Sequence, residues 1–170
     1  MSHAHDTGRK GEGRTMIDEL DSRLLVTMRA NPRVGLTELA RLLGVARGTV
    51  QARVEKLVAR GVITDFGPTI DPEVVGYPIL GFVSLQIAQG RLAEAVESLR
   101  GVPEILEVYG TSGQADLLCR VVARGTAHLQ EIIALILASP AVQRTDTTIV
   151  LSNQISYRIE PLLKAAPQSP

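Results

Sequence analysis

Apolar positions follow two different periods along this chain. Up to Gly61 they recur at helical spacing: Leu20, Leu24, Leu25 and Met28, then Leu36, Leu39, Leu42 and Leu43, then Val50, Val54, Leu57 and Val58. Between these runs stand start and stop signals. Asp18 is placed to cap the first helix, and Asn31-Pro32 ends it. Glu38, three residues after Gly35, makes a partial capping box for a short helix over about 36–43, which Gly44 terminates in the left-handed conformation. A third helix spans about 47–60 and stops at Gly61, with an extended segment following to about Ile70. Three helices with a glycine-containing turn of about three residues between the last two make a helix-turn-helix.

The turn-rich stretch from Asp71-Pro72 to Gly76-Tyr77-Pro78 marks a boundary, and beyond it the period falls to two. Gly81, Val83, Leu85 and Ile87 alternate with Leu80, Phe82, Ser84 and Gln86, which predicts a strand over 80–88. A helix over 91–99, strands over 105–111 and 116–123, a helix over 126–138 and a strand over 143–153 complete the order β-α-β-β-α-β, the ferredoxin-like split unit. The fold class is α+β: an N-terminal helix-turn-helix (winged-helix-like) domain and a C-terminal ferredoxin-like domain. The predicted organisation is a flexible tail over 1–15, the helix-turn-helix over 16–63, a linker strand and turn over 64–77, the ferredoxin-like domain over 78–160 and a second tail over 161–170. Helices cover one sheet face, yet Phe82, Leu118 and Val122 make the other apolar, so a second molecule should cover it. Alternation alone thus predicts a homodimer.

Composition narrows the class. The 170 residues are 45% hydrophobic and 21% charged, with no net charge, which excludes a largely disordered polymer. The longest uninterrupted apolar run, Ile132 to Ala138, is far short of the roughly 20 residues of a membrane span. The polar N-terminus lacks a signal-peptide core, and a single cysteine excludes an internal disulfide or a cysteine-rich zinc module. His3 and His5 lack a third metal ligand nearby. The expectation is a cytoplasmic protein without a cofactor.

Neutrality conceals an asymmetry. Residues 1–65 carry 11 basic and 8 acidic side chains, residues 66–170 carry 7 and 10, and the window 29–60 holds seven basic residues against Glu38 and Glu55. A polyanion partner for the N-terminal half explains this, as does the simple display of solvated charge. With Val50, Val54, Leu57 and Val58 inward, the opposite arc of the third helix is read as Gly48, Thr49, Ala52, Arg53 and Lys56, flanked by Arg47 and Gln51. Small residues let a backbone approach a groove, Arg and Gln offer paired donors to guanine or adenine edges, Thr49 suits a thymine methyl and Lys56 a phosphate. A merely solvated helix face is the bland alternative, weakened by the Gly44 turn, the basic excess and the shared apolar spacing.

Several stretches in order carry a family resemblance. They are Ile17-Asp18-Glu19-Leu20-Asp21 with Leu24-Leu25, Glu38-Leu39-Ala40, Gly44-Val45 leading to Val50 and Arg53, Gly61-Val62-Ile63, Asp71-Pro72, Gly76-Tyr77, Gly113 to Asp116 with Leu117-Leu118, and Thr148 to Ser152. Over about 17–160 the chain resembles the leucine-responsive/asparagine-responsive (Lrp/AsnC) family of transcription regulators. The resemblance implies a DNA-binding regulator whose C-terminal domain builds a homodimer, with tetramers or octamers above it. It also implies a small effector, an amino acid, bound between C-terminal domains. Ser112, Gly113, Gln114 and Asp116 match the family's ligand loop, with Thr148 and Ser152 as additions from the last strand. Gly113 lets backbone amides approach a carboxylate, and Asp116 suits an α-ammonium, although a plain hairpin turn uses the same residues. Two departures bear on the third helix: Ala46 stands where the family commonly has a capping hydroxyl, and Gly48 lies inside the helix; each costs about 1 kcal/mol of helix stability.

Other chemistries fare worse. Cys119 alternates with Leu117 and Val121 as a core thiol would, and His128 near Glu131 reads as a surface residue rather than a catalytic base. RNA binding by the sheet needs stacking aromatics, and the strands offer Phe82 and Tyr109 alone. The runner-up function is a ligand-sensing or scaffold oligomer that no longer binds DNA.

Overall fold

The structure, a computed structural model, describes residues 17–165, so the tail predicted over 1–15, with His3 and His5, lies outside the described residues. In chain order the elements are helices α1 (Glu19–Ala30), α2 (Leu36–Leu43) and α3 (Arg47–Ala59), strand β1 (Ile79–Ile87), helix α4 (Leu92–Arg100), strands β2 (Ile105–Gly110) and β3 (Leu117–Ala123), helix α5 (Thr126–Leu137), strand β4 (Val142–Ile149) and helix α6 (Glu160–Ala165). They form two compact units. One runs to Gly67 and resumes at Ser156, and the other is Pro68–Ile155.

The helical unit packs Leu24, Leu39, Ala40, Leu43, Val50 and Leu57 into one apolar core. Asp18 accepts from the Asp21 N–H at 2.8 Å, and Asp21 accepts from the Asp18 N–H at 3.3 Å, so a reciprocal capping box starts α1. Gly44 ends α2 at φ 71°, the left-handed region that favours glycine, and this sets the turn into α3. Arg23 Nη2 donates to the Leu43 carbonyl at 3.2 Å, placing a cation at the negative end of α2. Four expectations are corrected here. Glu38 does not reach back to Gly35; its carboxylate takes Arg41, three residues on, at 2.5 and 2.8 Å. Val58, expected inward, is 42% exposed, because it sits at the edge of the arc that Val50, Val54 and Leu57 define. The tail expected over 161–170 begins as α6, which returns to α1: Ser22 Oγ donates to the Leu163 carbonyl at 2.6 Å and Arg29 pairs with Glu160. No strand lies between α3 and β1, so among the described residues the helix-turn-helix carries no paired wing.

In the other unit a four-stranded antiparallel sheet runs in the order β2-β3-β1-β4. Val83 and Leu85 of β1 and Leu117, Cys119 and Val121 of β3 point to the face that Ala95 and Leu99 of α4 and Leu129, Ile132 and Ile136 of α5 cover, and all are buried. Each large apolar side chain so buried contributes about 1.5–3 kcal/mol. The opposite face pairs Leu80 with Val122, Phe82 with Arg120 and Thr148, and Ser84 with Leu118 and Asp146. The last strand is shorter than the expected 143–153. Val150 N–H still donates to the Leu80 carbonyl, but β1 begins at Ile79, directly after Pro78, which has no N–H to extend the ladder.

Candidate nucleic-acid interface and ligand loop

Helix α3 starts without a side-chain cap, as Ala46 dictates, and Arg47, Gly48, Thr49, Gln51, Ala52 and Lys56 are exposed. A Cβ built on Gly48 meets nothing within 4 Å, so the protein's own packing does not require glycine there. What remains is an outer surface of small residues edged by donors. Gln51 is not idle: its Nε2 donates to Glu55 Oε1 at 3.0 Å, one turn on, which fixes the direction of its amide. Arg47 and Lys56 make no ion pair among the described residues.

Arg53 is the exception, and it corrects the helical-wheel placement. It lies three residues after Val50 and four before Leu57, on the flank of the buried stripe rather than opposite it. Its Nη1 donates to Asp18 Oδ2 at 2.5 Å and to Asp21 Oδ1 at 2.7 Å. Asp21 is the one buried charged residue of the described chain, at 3% exposure. Burial alone would push the Asp18 carboxyl up, but the bonds from Arg53 and from the Asp21 N–H outweigh it and hold that carboxyl below the ordinary 3.8. The spacing to Val50 and Leu57 was the available signal.

The loop between β2 and β3 is anchored to the end of β1. Ile87 N–H donates to Asp116 Oδ2 at 2.7 Å, Asp116 N–H to the Leu85 carbonyl at 2.9 Å, and Gln86 Nε2 to the Gln114 carbonyl at 3.1 Å. Gly113 takes φ 128°, which an L side chain resists. Ser112, Gly113, Gln114 and Asp116 are exposed together, and Asp116 Oδ1 takes no hydrogen bond among the described residues. Thr148 is not with them. It pairs with Phe82, four residues from Gln86, which at about 3.3 Å per residue puts it roughly 13 Å along the strand. Ser152 lies beyond β4 altogether.

His128, expected on the surface, is only 13% exposed at its side chain. Its Nδ1 accepts from the Arg124 N–H at 3.2 Å, its Nε2 faces Glu104 at 3.4 Å and its ring lies 6.3 Å from that of Tyr77. This ties the turn before β1 and the lead into β2 to α5, a structural duty. Beside it a cavity of about 280 Å³ opens between Ile70, Val75, Leu106 and Val122, with Glu104 in its wall. Cys119 is buried and burial pushes its thiol up to about 11, so it is protonated and unreactive near neutral pH. No helix is long and apolar enough to cross a membrane, and no three metal-ligating side chains gather, among the described residues.

Comparison with known proteins agrees with this division. Residues 17–58 match the model of the AsnC-type helix-turn-helix domain, and residues 80–159 that of the Lrp/AsnC ligand binding domain. The HTH-type transcriptional regulator FL11 of Pyrococcus horikoshii is 33% identical over 138 residues, 81% of this chain and 91% of that protein. The regulatory protein AsnC of Escherichia coli is 32% identical over 148 residues, 86% of this chain and 97% of its own length. Its solved structure superposes with a TM-score of 0.80, covering 86% of this chain and 99% of that one. The Neisseria meningitidis regulator NMB0573, solved as an L-Met complex, shares the fold at a TM-score of 0.75 and 20% identity, covering 86% of this chain and 99% of that one. These relatives are regulators of transcription, not enzymes.

Proposed function

We propose, from the premise that this chain belongs to the Lrp/AsnC family of transcription regulators, that α3 lies in a DNA major groove and that the loop at 112–116 receives an amino-acid effector. The helix-turn-helix binds DNA and the ferredoxin-like unit binds a small ligand, as the family's two domains do. Within α3, Arg47 and Gln51 read base edges, Thr49 contacts a thymine methyl and Lys56 holds a phosphate. The observation that carries this reading is the exposed arc of small and polar residues around Gly48, where a Cβ would meet nothing. A protein that works on DNA in this way works in the cytoplasm.

The effector reading rests on the loop. Asp116 keeps Oδ1 for an ammonium while its other oxygen fastens the loop to β1, and Gly113, with no side chain, leaves room for a carboxylate to approach the loop's backbone amides. L-Met in the complex of NMB0573, a protein of the same fold, supports the ligand class. The face carrying Phe82, Leu118 and Val122, with the cavity at its margin, is covered by a second copy, giving a homodimer. Two recognition helices then read half-sites about 10 bp apart or a multiple of that.

Footprinting on a duplex selected in vitro by the wild type tests the assignment. Arg47→Ala and Gln51→Ala should each cost about 1–3 kcal/mol at particular bases, whereas Lys56→Ala should weaken all sequences alike. Undiminished specific binding by all three refutes the assignment, and a wild type that selects no sequence would favour the scaffold oligomer instead. Calorimetry with the twenty amino acids, on wild type and Asp116→Asn, tests the loop.

A further inference from the structure

We propose that Arg53 is the positioning residue of the recognition helix: it fixes how α3 is turned against α1, so that DNA is read through a cation that does not touch it. The inference rests on the DNA-binding reading above and deepens it. Four carboxylate oxygens form a closed set around α1's first turn. Asp18 Oδ1 accepts the Asp21 N–H and Asp21 Oδ2 accepts the Asp18 N–H, and the remaining oxygen of each takes Arg53 Nη1. The residues that cap α1 therefore also grip the middle of α3.

The face that α3 turns inward is Val50, Val54 and Leu57, with Val50 and Leu57 buried in the core, so this stripe sets the depth of the helix. A charged donor lodged between two fixed acceptors adds a directional restraint to it. Arg47, Thr49, Gln51 and Lys56 are spread over ten residues of the same rigid helix, so any rotation that frees Arg53 misdirects all of them together. The guanidinium's charge is also offset, since its Nη1 is bonded to two carboxylates and its side chain is only 29% exposed.

This predicts an unusual sign. Removing a carboxylate from a DNA-binding unit ordinarily tightens its hold on a polyanion. Here Asp18→Asn and Asp21→Asn should lower the preference for a duplex selected by the wild type over poly(dI-dC) by about tenfold. Asn caps a helix as well as Asp does, so Asp18→Asn keeps the start of α1, and its partly exposed site makes it the variant certain to be tested folded. Arg53→Ala should lose the same preference while the slope of log affinity against log salt stays as in the wild type. Arg53→Lys should fall between, since a point charge serves one acceptor well and not two. The proposal is overturned if Asp18→Asn binds both DNAs more tightly with its preference intact, or if Arg53→Ala lowers the salt slope by about 0.9, the mark of a lost phosphate contact. A wild type that selects no sequence overturns the DNA-binding reading itself; a selective wild type with unaffected variants overturns this inference alone.

Discussion

The two units solve the problem of holding helices in place by different means. In the sheet unit, α4 and α5 rest on Val83, Leu85, Cys119 and Val121, a broad apolar floor with every neighbouring strand hydrogen-bonded beneath it. In the helical unit there is no floor; three short helices meet through a handful of leucines and valines, and a buried carboxylate with its arginine completes the contact. Burying charge is costly unless it is paired, and a buried pair often stabilises no more than a well-packed apolar substitute. Its value is direction. An apolar floor sets depth and area, whereas a forked ion pair also sets angle, and angle is what a helix that reads a groove requires.

The largest effect follows from that contrast. Arg53→Ala leaves the Asp21 carboxylate buried without its partner and should destabilise the helical unit by about 3–5 kcal/mol. Ile132→Ala, at 1% exposure in the sheet unit, should cost about 2–5 kcal/mol through lost burial and a residual cavity. Hydrogen exchange separates them: amides of α1 and α3 should lose protection in the first variant, amides of β1 and β3 in the second. Replacing all three charges together (Asp18→Asn, Asp21→Leu, Arg53→Met) should restore much of the stability without restoring sequence preference. If preference returned as well, the ion pair would be a stability device only.

Much of this was legible in the sequence. Periodicity, Asp18, Gly44 and Gly61 delimit the helical unit, and alternation through 80–123 separates the covered from the bare sheet face, because local spacing alone decides both. Arg53 was misplaced because a wheel sorts residues into in and out, while the structure uses the boundary, where a long side chain reaches past the stripe to another helix. His128 was misread for a related reason: its partners Glu104 and Tyr77 are distant in sequence, and no local pattern announces them. Thr148 shares a sheet with the ligand loop, but only the strand register, invisible beforehand, shows them offset by about 13 Å along the strand. The return of α6 to α1 depends on one hydroxyl and one ion pair across more than a hundred residues, again beyond any local signal.

The same contrast predicts opposite failures on titration. The Asp18 carboxyl is held below its ordinary value, so its contribution is present above the unfolded value near 3.8 and is lost as pH falls through the lowered folded value. The Cys119 thiol is raised from 9.0 to about 11, so its contribution is complete below pH 9 and is lost as pH climbs toward 11. Acid should therefore release α1 from α3 first, and alkali should loosen β1 against β3 first. Exchange followed at both extremes checks the order, and Asp18→Asn should remove its share of the acid sensitivity while leaving the alkaline limb unchanged.

The smallest effect tests what α3 gives up for its task. Gly48 has no packing neighbour that a methyl would strike, and as the second residue of α3 it costs at most about 1 kcal/mol, the cost of glycine relative to alanine in a helix interior. Ala46 leaves the first turn uncapped, and a serine there would regain a comparable amount. Both Gly48→Ala and Ala46→Ser should therefore raise the melting temperature of the helical unit by a similar margin. Their effects on DNA should differ. If the α3 backbone presses against the groove at Gly48, the added methyl lowers specific affinity while the added cap leaves it unchanged. Equal affinity in the two variants would mean that the gap at Gly48 serves neither packing nor approach.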